Sequence, residues 1–353
     1  MMPGATWQGA QTMAVTIKDV AREAGVSVAS VSRALNDLGG VTPQTQQRIR
    51  EVASRLRYVP DGAARSLITR RTHTVGALLP DLHGEFFSEL IRGLDQAARG
   101  HGLHLLVSCS HGDADEAAAA LRSMQGRVDG MVILSPHVDA AFLRANLVDG
   151  LPLVLLNSAV SDPAYGKLSI DNLAGATAMA RHLLELHGEL AFIAGPVDNF
   201  DAQQREQGYR AALAAHAPRV APLVLRGDFS EAAGQRAAAE LLRRRSRPRA
   251  VFAANDMMAI GCLRALQEAG LRVPQDVALA GFDDIPITRY VNPPVSTVRV
   301  RIAELGRGAL DQLAASLAAM PTAPSAHTLG CEIVVRESCG TARVARDPAT
   351  TTT

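Results

Sequence analysis

From His73 onward, nine short apolar runs alternate with Ala- and Leu-rich stretches of helical spacing, and this alternation limits the fold more than any other feature of the chain. The runs are "TVGALLP", "LHLLVSCS", "GMVILSP", "LPLVLLN", "LSIDN", "LAFIAGP", "LVLRGD", "AVFAAND" and "VALAGFDD". Short, fully apolar strands interleaved with helices imply a parallel sheet covered on both faces. Nine such runs exceed what one compact sheet of this length holds, so two lobes are expected. The runs end in Pro80-Asp81, Asn157, Asp171-Asn172, Pro196, Asp228, Asn255-Asp256 and Asp283-Asp284. Ligands of open parallel sheets bind beyond the carboxyl ends of the strands. Any one of these residues reads equally well as a helix cap or loop residue. Gathered at one end, they form a set of carboxylates and amides suited to a hydroxyl-rich molecule.

The first seventy residues follow a different pattern. In "VTIKDVAREAGVSVASVSRALND", Thr16 is an N-cap with Asp19 three residues on, and Val20, Ala21 and Ala24 share one face up to Gly25. Ser27 caps a second helix, whose Val31, Ala34 and Leu35 lie on one side and Val28, Ala29, Ser32 and Arg33 on the other. "VTPQTQQRIREVASRLRY" announces a third helix, with Thr42 as cap, Pro43 at the first helical position, and Ile49, Val52, Ala53 and Leu56 inward. Two short helices joined by a tight glycine-containing turn and closed by a third describe a helix-turn-helix unit. The outward face of the second helix is small at its N-terminal end, so it can sit deep in a major groove. Arg33 can donate twice to guanine there, and Val28 and Ala29 can touch thymine methyls. Ser27 and the helix N-terminus suit a phosphate. Between Ala14 and Thr72 stand ten basic and five acidic residues, a net +5, which leaves −4 for the rest of a chain whose total is +1. A basic unit on an acidic body confines a polyanion contact to one end.

The order "TIKDVAREAGVSVASVSRALND", "RYVPDGAARSL" and then an α/β body resembles the lactose/galactose-repressor (LacI/GalR) family from about Val15 to Gly340. The resemblance implies a small all-α helix-turn-helix head plus a two-lobed α/β, periplasmic-binding-protein-like body with parallel sheets. It places the base-reading pair on Val28 and Ala29, completed by Arg33, a pairing closer to the galactose-repressor branch. The implied organisation is a tail over 1–14, a DNA-binding domain over 15–60, a hinge helix over 61–72 and an effector-binding domain over 73–340. Lobe one would take about 73–171 and 301–325, lobe two about 172–296 and 326–340, with a second tail over 341–353. The family's hinge-helix leucine falls on Leu67, and paired leucines would wedge open a base step at the operator centre.

For the effector, the family pattern "GP…R…G[FY]" falls on "GPVDNFDAQQREQGYR" and puts the ligand-binding arginine on Arg205. The aspartate of "G[FY]D" falls on Asp283, and the stacking aromatics fall on Phe86, Phe87 and Phe229. Asp81, Asn157, Asp171, Asn199, Asp201 and Asn255 are candidates by position. Ser158 stands where the purine-repressor branch carries an indole, and Asn199 replaces an arginine of that branch, which disfavours a flat purine. The implied function is a repressor of carbohydrate-utilisation genes, released from a palindromic operator by a sugar. A corepressor-dependent regulator with a non-sugar ligand and a two-lobed solute-binding protein are the alternatives. The lack of C-terminal leucine heptads favours a homodimer.

An enzyme is not expected: the chain has no Gly-x-Gly-x-x-Gly, no phosphate loop, no Gly-x-Ser-x-Gly elbow and no His-Glu-x-x-His. No catalytic residue, cofactor or metal site is expected, and Cys109, Cys262, Cys331 and Cys339 read as free thiols. No run of eighteen apolar residues spans a membrane, and "MMPGATWQGAQTM" lacks a secretory pattern, so a cytoplasmic, nucleoid-associated protein is expected.

Overall fold

A computed structural model describes residues 15–36, 38–59, 71–136, 138–148, 150–160, 162–318 and 325–340. The expected tails, Leu67 and nearly all of the expected hinge helix lie outside those residues. The chain divides into two compact units, Met1–Thr72 and His73–Thr353.

In the N-terminal unit, α1 (Ile17–Ala24), α2 (Val28–Leu35) and α3 (Pro43–Arg55) form in the expected places. Each start is fixed by a side chain. The Asp19 carboxylate accepts from both the Thr16 backbone N–H at 3.0 Å and its hydroxyl at 2.7 Å, and the Ser27 hydroxyl accepts from Ser30 N–H at 3.1 Å. These two bonds and Arg22 hold the Asp19 carboxyl below its usual range, the Thr16 hydroxyl contributing most. Gly25 ends α1 at φ 62°, a left-handed conformation that costs glycine nothing. The core is Val20, Ala21, Ala24, Val31, Ala34, Ile49, Val52 and Ala53.

The body holds two six-stranded sheets. The first runs in the order β11 (Ala326–Leu329), β5 (Gly166–Ile170), β4 (Leu153–Leu156), β3 (Gly130–Ile133), β1 (Thr74–Leu79), β2 (His104–Cys109). All its pairings are parallel. The second runs β12 (Glu332–Val334), β10 (Ser296–Arg299), β9 (Ala278–Asp283), β8 (Ala250–Ala253), β6 (Leu190–Ala194), β7 (Leu223–Arg226). It is parallel except for the antiparallel edge strand β12. All nine apolar runs are strands. The first lobe carries helices α4 (Glu85–Gly100), α5 (Ala114–Met124), α6 (Ala140–Asn146) and α11 (Ile302–Leu317). The second carries α7 (Asn172–His187), α8 (Phe200–His216), α9 (Glu231–Arg243) and α10 (Asp256–Glu268).

One expected boundary moves. Residues 326–329 were assigned to lobe two, but β11 pairs with β5 from Ala326↔Lys167 to Leu329↔Ile170, so it closes the edge of the first sheet. The reason is local: Lys167 N–H already bonds Ser325 O at 3.0 Å and Asp171 N–H bonds Leu329 O at 2.9 Å, extending the ladder at both ends. The chain therefore crosses between lobes at 171–172, 300–301 and 330–331.

Glycines set the closest helix contacts. A Cβ on Gly93 of α4 would lie 2.1 Å from Ala303 O of α11, and one on Gly208 of α8 would lie 2.7 Å from Leu173 O of α7. The second contact brings the middle of α8 against the start of α7, where Asn172 and Arg205 meet at the floor of a cleft.

Candidate effector cleft and nucleic-acid face

The carboxyl ends of both sheets open onto one cleft of about 670 Å³, within the range of small-molecule sites. Arg205, on the first turns of α8, is its centre and is 3% exposed. Its Nε donates to Asn172 Oδ1 at 2.8 Å and one terminal nitrogen donates to Ala254 O at 2.7 Å. The other lies 3.1 Å from Asp283 Oδ1, and the guanidinium carbon sits 3.9 Å above the Phe282 ring. Such a guanidinium is held in place before any ligand arrives.

Asp201, one turn before Arg205, accepts from Asn172 Nδ2 at 2.8 Å and from Asn157 Nδ2 at 2.9 Å. Asn157 belongs to the first lobe and Asp201 to the second, so this bond spans the cleft. Asn157 Oδ1 in turn accepts from Ile170 N–H at 3.0 Å. A second bridge runs from Ile287 N–H to a Glu85 carboxylate oxygen at 2.8 Å.

Burial pushes the carboxyls of Asp201 and Asp283 up to about 6, against the pull of Arg205, which lowers both. Asp256, fully buried behind them, is raised further by burial and by the nearby Asp283; it accepts from Thr297 Oγ1 at 2.6 Å and from Ile285 N–H at 3.0 Å. Asp284 goes the other way. Burial acts to raise it, but bonds from Arg336 and from Arg299 Nε at 2.6 Å bring it below the ordinary carboxylate value.

The aromatic wall is Phe86 and Phe87, edge to face at 5.4 Å, together with Phe229. Phe229 has φ 70°, and Asn255 Nδ2 donates to its carbonyl at 2.9 Å. Its ring fills the space beside Gly195, where a Cβ would lie 2.5 Å from a ring carbon. Among the described residues seven non-glycine positions have positive φ, and four of them, His111, Asn157, Phe229 and Asp283, line the cleft. Strain of this kind, of order 1–3 kcal/mol at each position, persists where the surrounding structure holds it, which is typical of ligand sites.

Asp81, Phe86, Phe87, Asn157, Asn199, Asp201, Arg205, Phe229, Asn255 and Asp283 thus come together. Asp171 does not join them: its carboxylate caps α7, accepting from Ala174 N–H at 3.0 Å. Asn199 and Asn255 also cap, at α8 and α10, while still facing the cleft. Sequence reasoning did not select Ser135 and Asp139, which line the cleft after β3, nor Phe200 and Gln203 on α8. The signal for Ser135 and Asp139 was present, since "GMVILSP" ends like the other runs. Asn172 is 1% exposed and binds both Arg205 and Asp201.

In the N-terminal unit Thr16, Ser27, Val28, Ala29 and Arg33 are exposed and Ser32 is half-buried. Val28 is 41% exposed, high for a valine in so small a unit. The apolar and basic groups of α2 are therefore open on the side opposite Val31 and Ala34.

Two family models match: "Bacterial regulatory proteins, lacI family" over residues 16–61, and "Periplasmic binding protein-like domain" over residues 180–339. The HTH-type transcriptional repressor CytR of Escherichia coli (strain K12) is 33% identical over 333 residues, covering 93% of this chain and 97% of that protein. A crystal structure of the lac repressor dimer bound to operator and the anti-inducer ONPF superposes with a TM-score of 0.82 at 27% identity, covering 92% of this chain and 99% of the other. A complex of the transcriptional regulator CelR with cellobiose gives a TM-score of 0.69 at 30% identity, with the same two coverages. With a helix-turn-helix match ahead of a two-lobed body, and similarity running nearly end to end, this chain belongs to the LacI family of bacterial regulatory proteins and is a DNA-binding transcriptional regulator.

Proposed function

We propose that the protein is a cytoplasmic, dimeric repressor of carbohydrate-utilisation genes that leaves a palindromic operator when a sugar fills the cleft. The single observation that carries the ligand class is the lining of that cleft: a guanidinium, Arg205, fixed by Asn172, Ala254 and Asp283, together with Asp201 and the phenyl rings of Phe86, Phe87 and Phe229. Carboxylates and amides accept and donate to hydroxyls in turn, and phenyl faces cover the C–H side of a sugar ring. The CelR–cellobiose complex is a precedent for a sugar bound in this fold. On the DNA side, Val28, Ala29, Ser32 and Arg33 read bases while Thr16 and Ser27 hold phosphate, and paired Leu67 side chains wedge open a base step at the operator centre.

Release follows if the closed cleft, with Asn157 bonded to Asp201, is incompatible with the DNA-bound arrangement of the dimer. A ligand achieves this only through its different affinity for the two states. The test is fluorescence anisotropy of the full chain on its own upstream DNA, with and without a panel of mono- and disaccharides. Salt-sensitive binding weakened by one sugar supports the reading. Operator binding that a ligand strengthens replaces release by corepression, and operator binding that no sugar alters overturns the sugar reading.

A further inference from the structure

Among the described residues six aspartates line the cleft, Asp81, Asp139, Asp198, Asp201, Asp228 and Asp283, against one arginine and one histidine, Arg205 and His111. The arginine is already committed, to Asn172, Ala254 and Asp283. Asp228 is paired with Arg236 at 2.7 Å. Among the described residues, Asp81, Asp139 and Asp198 have no ion-pair partner. The Asp283 carboxylate is nine-tenths buried and faces the cleft, and its Oδ1, although 3.1 Å from Arg205, lacks a partner in hydrogen-bond geometry.

Helix N-termini would ordinarily make such a cleft attractive to anions. Here three of them carry a side-chain cap that takes up one N–H each, while α4, whose Phe86 and Phe87 line the cleft, begins at Gly84 without one. Asp139 accepts from Phe142 N–H at 2.7 Å, Asn199 from Ala202 N–H at 2.9 Å and Asn255 from Met258 N–H at 3.0 Å. A phosphate or carboxylate entering the cleft would lose water and meet Asp81, Asp139 and Asp198 at its exposed rim and Asp201 and Asp283 deeper in.

We propose that the cleft selects its effector by charge, taking a hydroxylated molecule that is uncharged or carries a protonated amine, and rejecting the phosphorylated and carboxylated forms of the same sugar. This deepens the sugar reading above and rests on it. Burial that already holds Asp201 and Asp283 near 6 acts in the same direction, because another anion beside them opposes their ionisation further, whereas an ammonium relieves it.

The test is thermal melting of the full-length chain, near neutral pH and at fixed ionic strength, against matched sets: glucose, glucosamine, glucose 6-phosphate and gluconate; ribose and ribose 5-phosphate; cellobiose and its phosphorylated form. The expected result is a raised melting temperature with at least one uncharged or amine-bearing member, and binding weaker by roughly 100-fold or more for its anionic counterpart. A phosphate or carboxylate that binds as tightly as its parent overturns the proposal, as does a panel in which no uncharged or amine-bearing member binds. Asp198→Asn should narrow the gap between parent and phosphate; an unchanged gap counts against a charge origin. The operator assay, run beside it, separates the two readings. Release by a sugar phosphate would overturn the charge rule and keep the regulator. A sugar that raises the melting temperature without weakening operator binding would keep the charge rule and overturn release by sugar.

Discussion

Arg33 and Arg205 illustrate how differently two arginines are used. Arg33 stands exposed on α2. Replacing it by alanine is expected to cost about 1–3 kcal/mol at the cognate operator and to relax the preference at one base pair; anisotropy on a set of single-base operator variants reads both, and an unchanged preference removes Arg33 from base reading. Arg205 is buried, and its fork serves three protein groups at once. Lysine keeps the charge but not the fork, so Arg205→Lys should lose the effector response while operator affinity stays within a factor of about two to three. A variant that still responds would take Arg205 out of the site. Asp283 adds a pH dependence of known sign. Its carboxyl is raised to about 6 from an unfolded value of 3.8, so the folded state favours the protonated form. That contribution is complete below the unfolded value and is lost as pH rises through about 6, at about 1.4 kcal/mol per unit. Asp283→Asn, which cannot ionise, should therefore flatten the fall in melting temperature between pH 5 and pH 7; an equally steep fall in the variant would assign it to other groups. These residues were legible in the chain to different degrees. Thr16, Gly25 and Ser27 act through neighbours three or four residues away, so a local reading finds them. Asp171 and Asn157 follow strands in the same manner, yet one turns back to cap a helix and the other reaches across to Asp201. Nothing local separates the two cases.

The apolar runs of the body are readable as strands because most are buried on both faces and need no alternation, although β5 alternates and β2 and β7 are partly exposed. β11 was not, since "AHTL" is largely exposed and its place is set by pairing with β5, about 160 residues away in sequence. A polar edge strand gives no signal of which sheet it will join. The same limit hides the loop that aims Phe229. That loop depends on a positive φ, a bond from Asn255 and the empty side of Gly195, three features contributed by three strand ends. Gly195→Ala tests the arrangement, because the added Cβ would lie 2.5 Å from the Phe229 ring, too close for either to stay. Overpacking of this kind costs about 1–3 kcal/mol, and the ring has only the cleft to move into. Effector affinity should fall by at least about tenfold while operator affinity is kept, and Phe229→Leu in the same chain should restore part of the loss. Loss of both affinities would mark Gly195 as structural only. Equal effector binding would mean that the ring does not meet the ligand.

At the scale of the molecule, the body is two sheets joined by three chain crossings and bridged across the cleft by Asn157 with Asp201 and by Glu85 with Ile287. The Asn157–Asp201 bond is available only when the lobes are near, so it stabilises one of the two positions. A sugar that bridges Arg205 and Asp283 of the second lobe to the phenyl rings of the first would stabilise that position further. Linkage then fixes a quantity that does not depend on how motion passes from the body to the N-terminal unit. If the sugar weakens operator binding by a given factor, operator DNA must weaken sugar binding by the same factor, because both measure one coupling free energy. Couplings of this kind usually amount to about 5–150-fold. The expected outcome is that titration calorimetry of the sugar, on free protein and on protein saturated with operator, gives a ratio of dissociation constants equal to the ratio of operator affinities with and without sugar. Asn157→Ala removes the bridge that favours closure, so it should weaken the sugar for free protein more than for operator-bound protein and shrink both ratios together. Two ratios that disagree would mean that sugar and DNA do not act on one shared equilibrium. A sugar affinity untouched by operator would leave the cleft a binding site without control over the DNA.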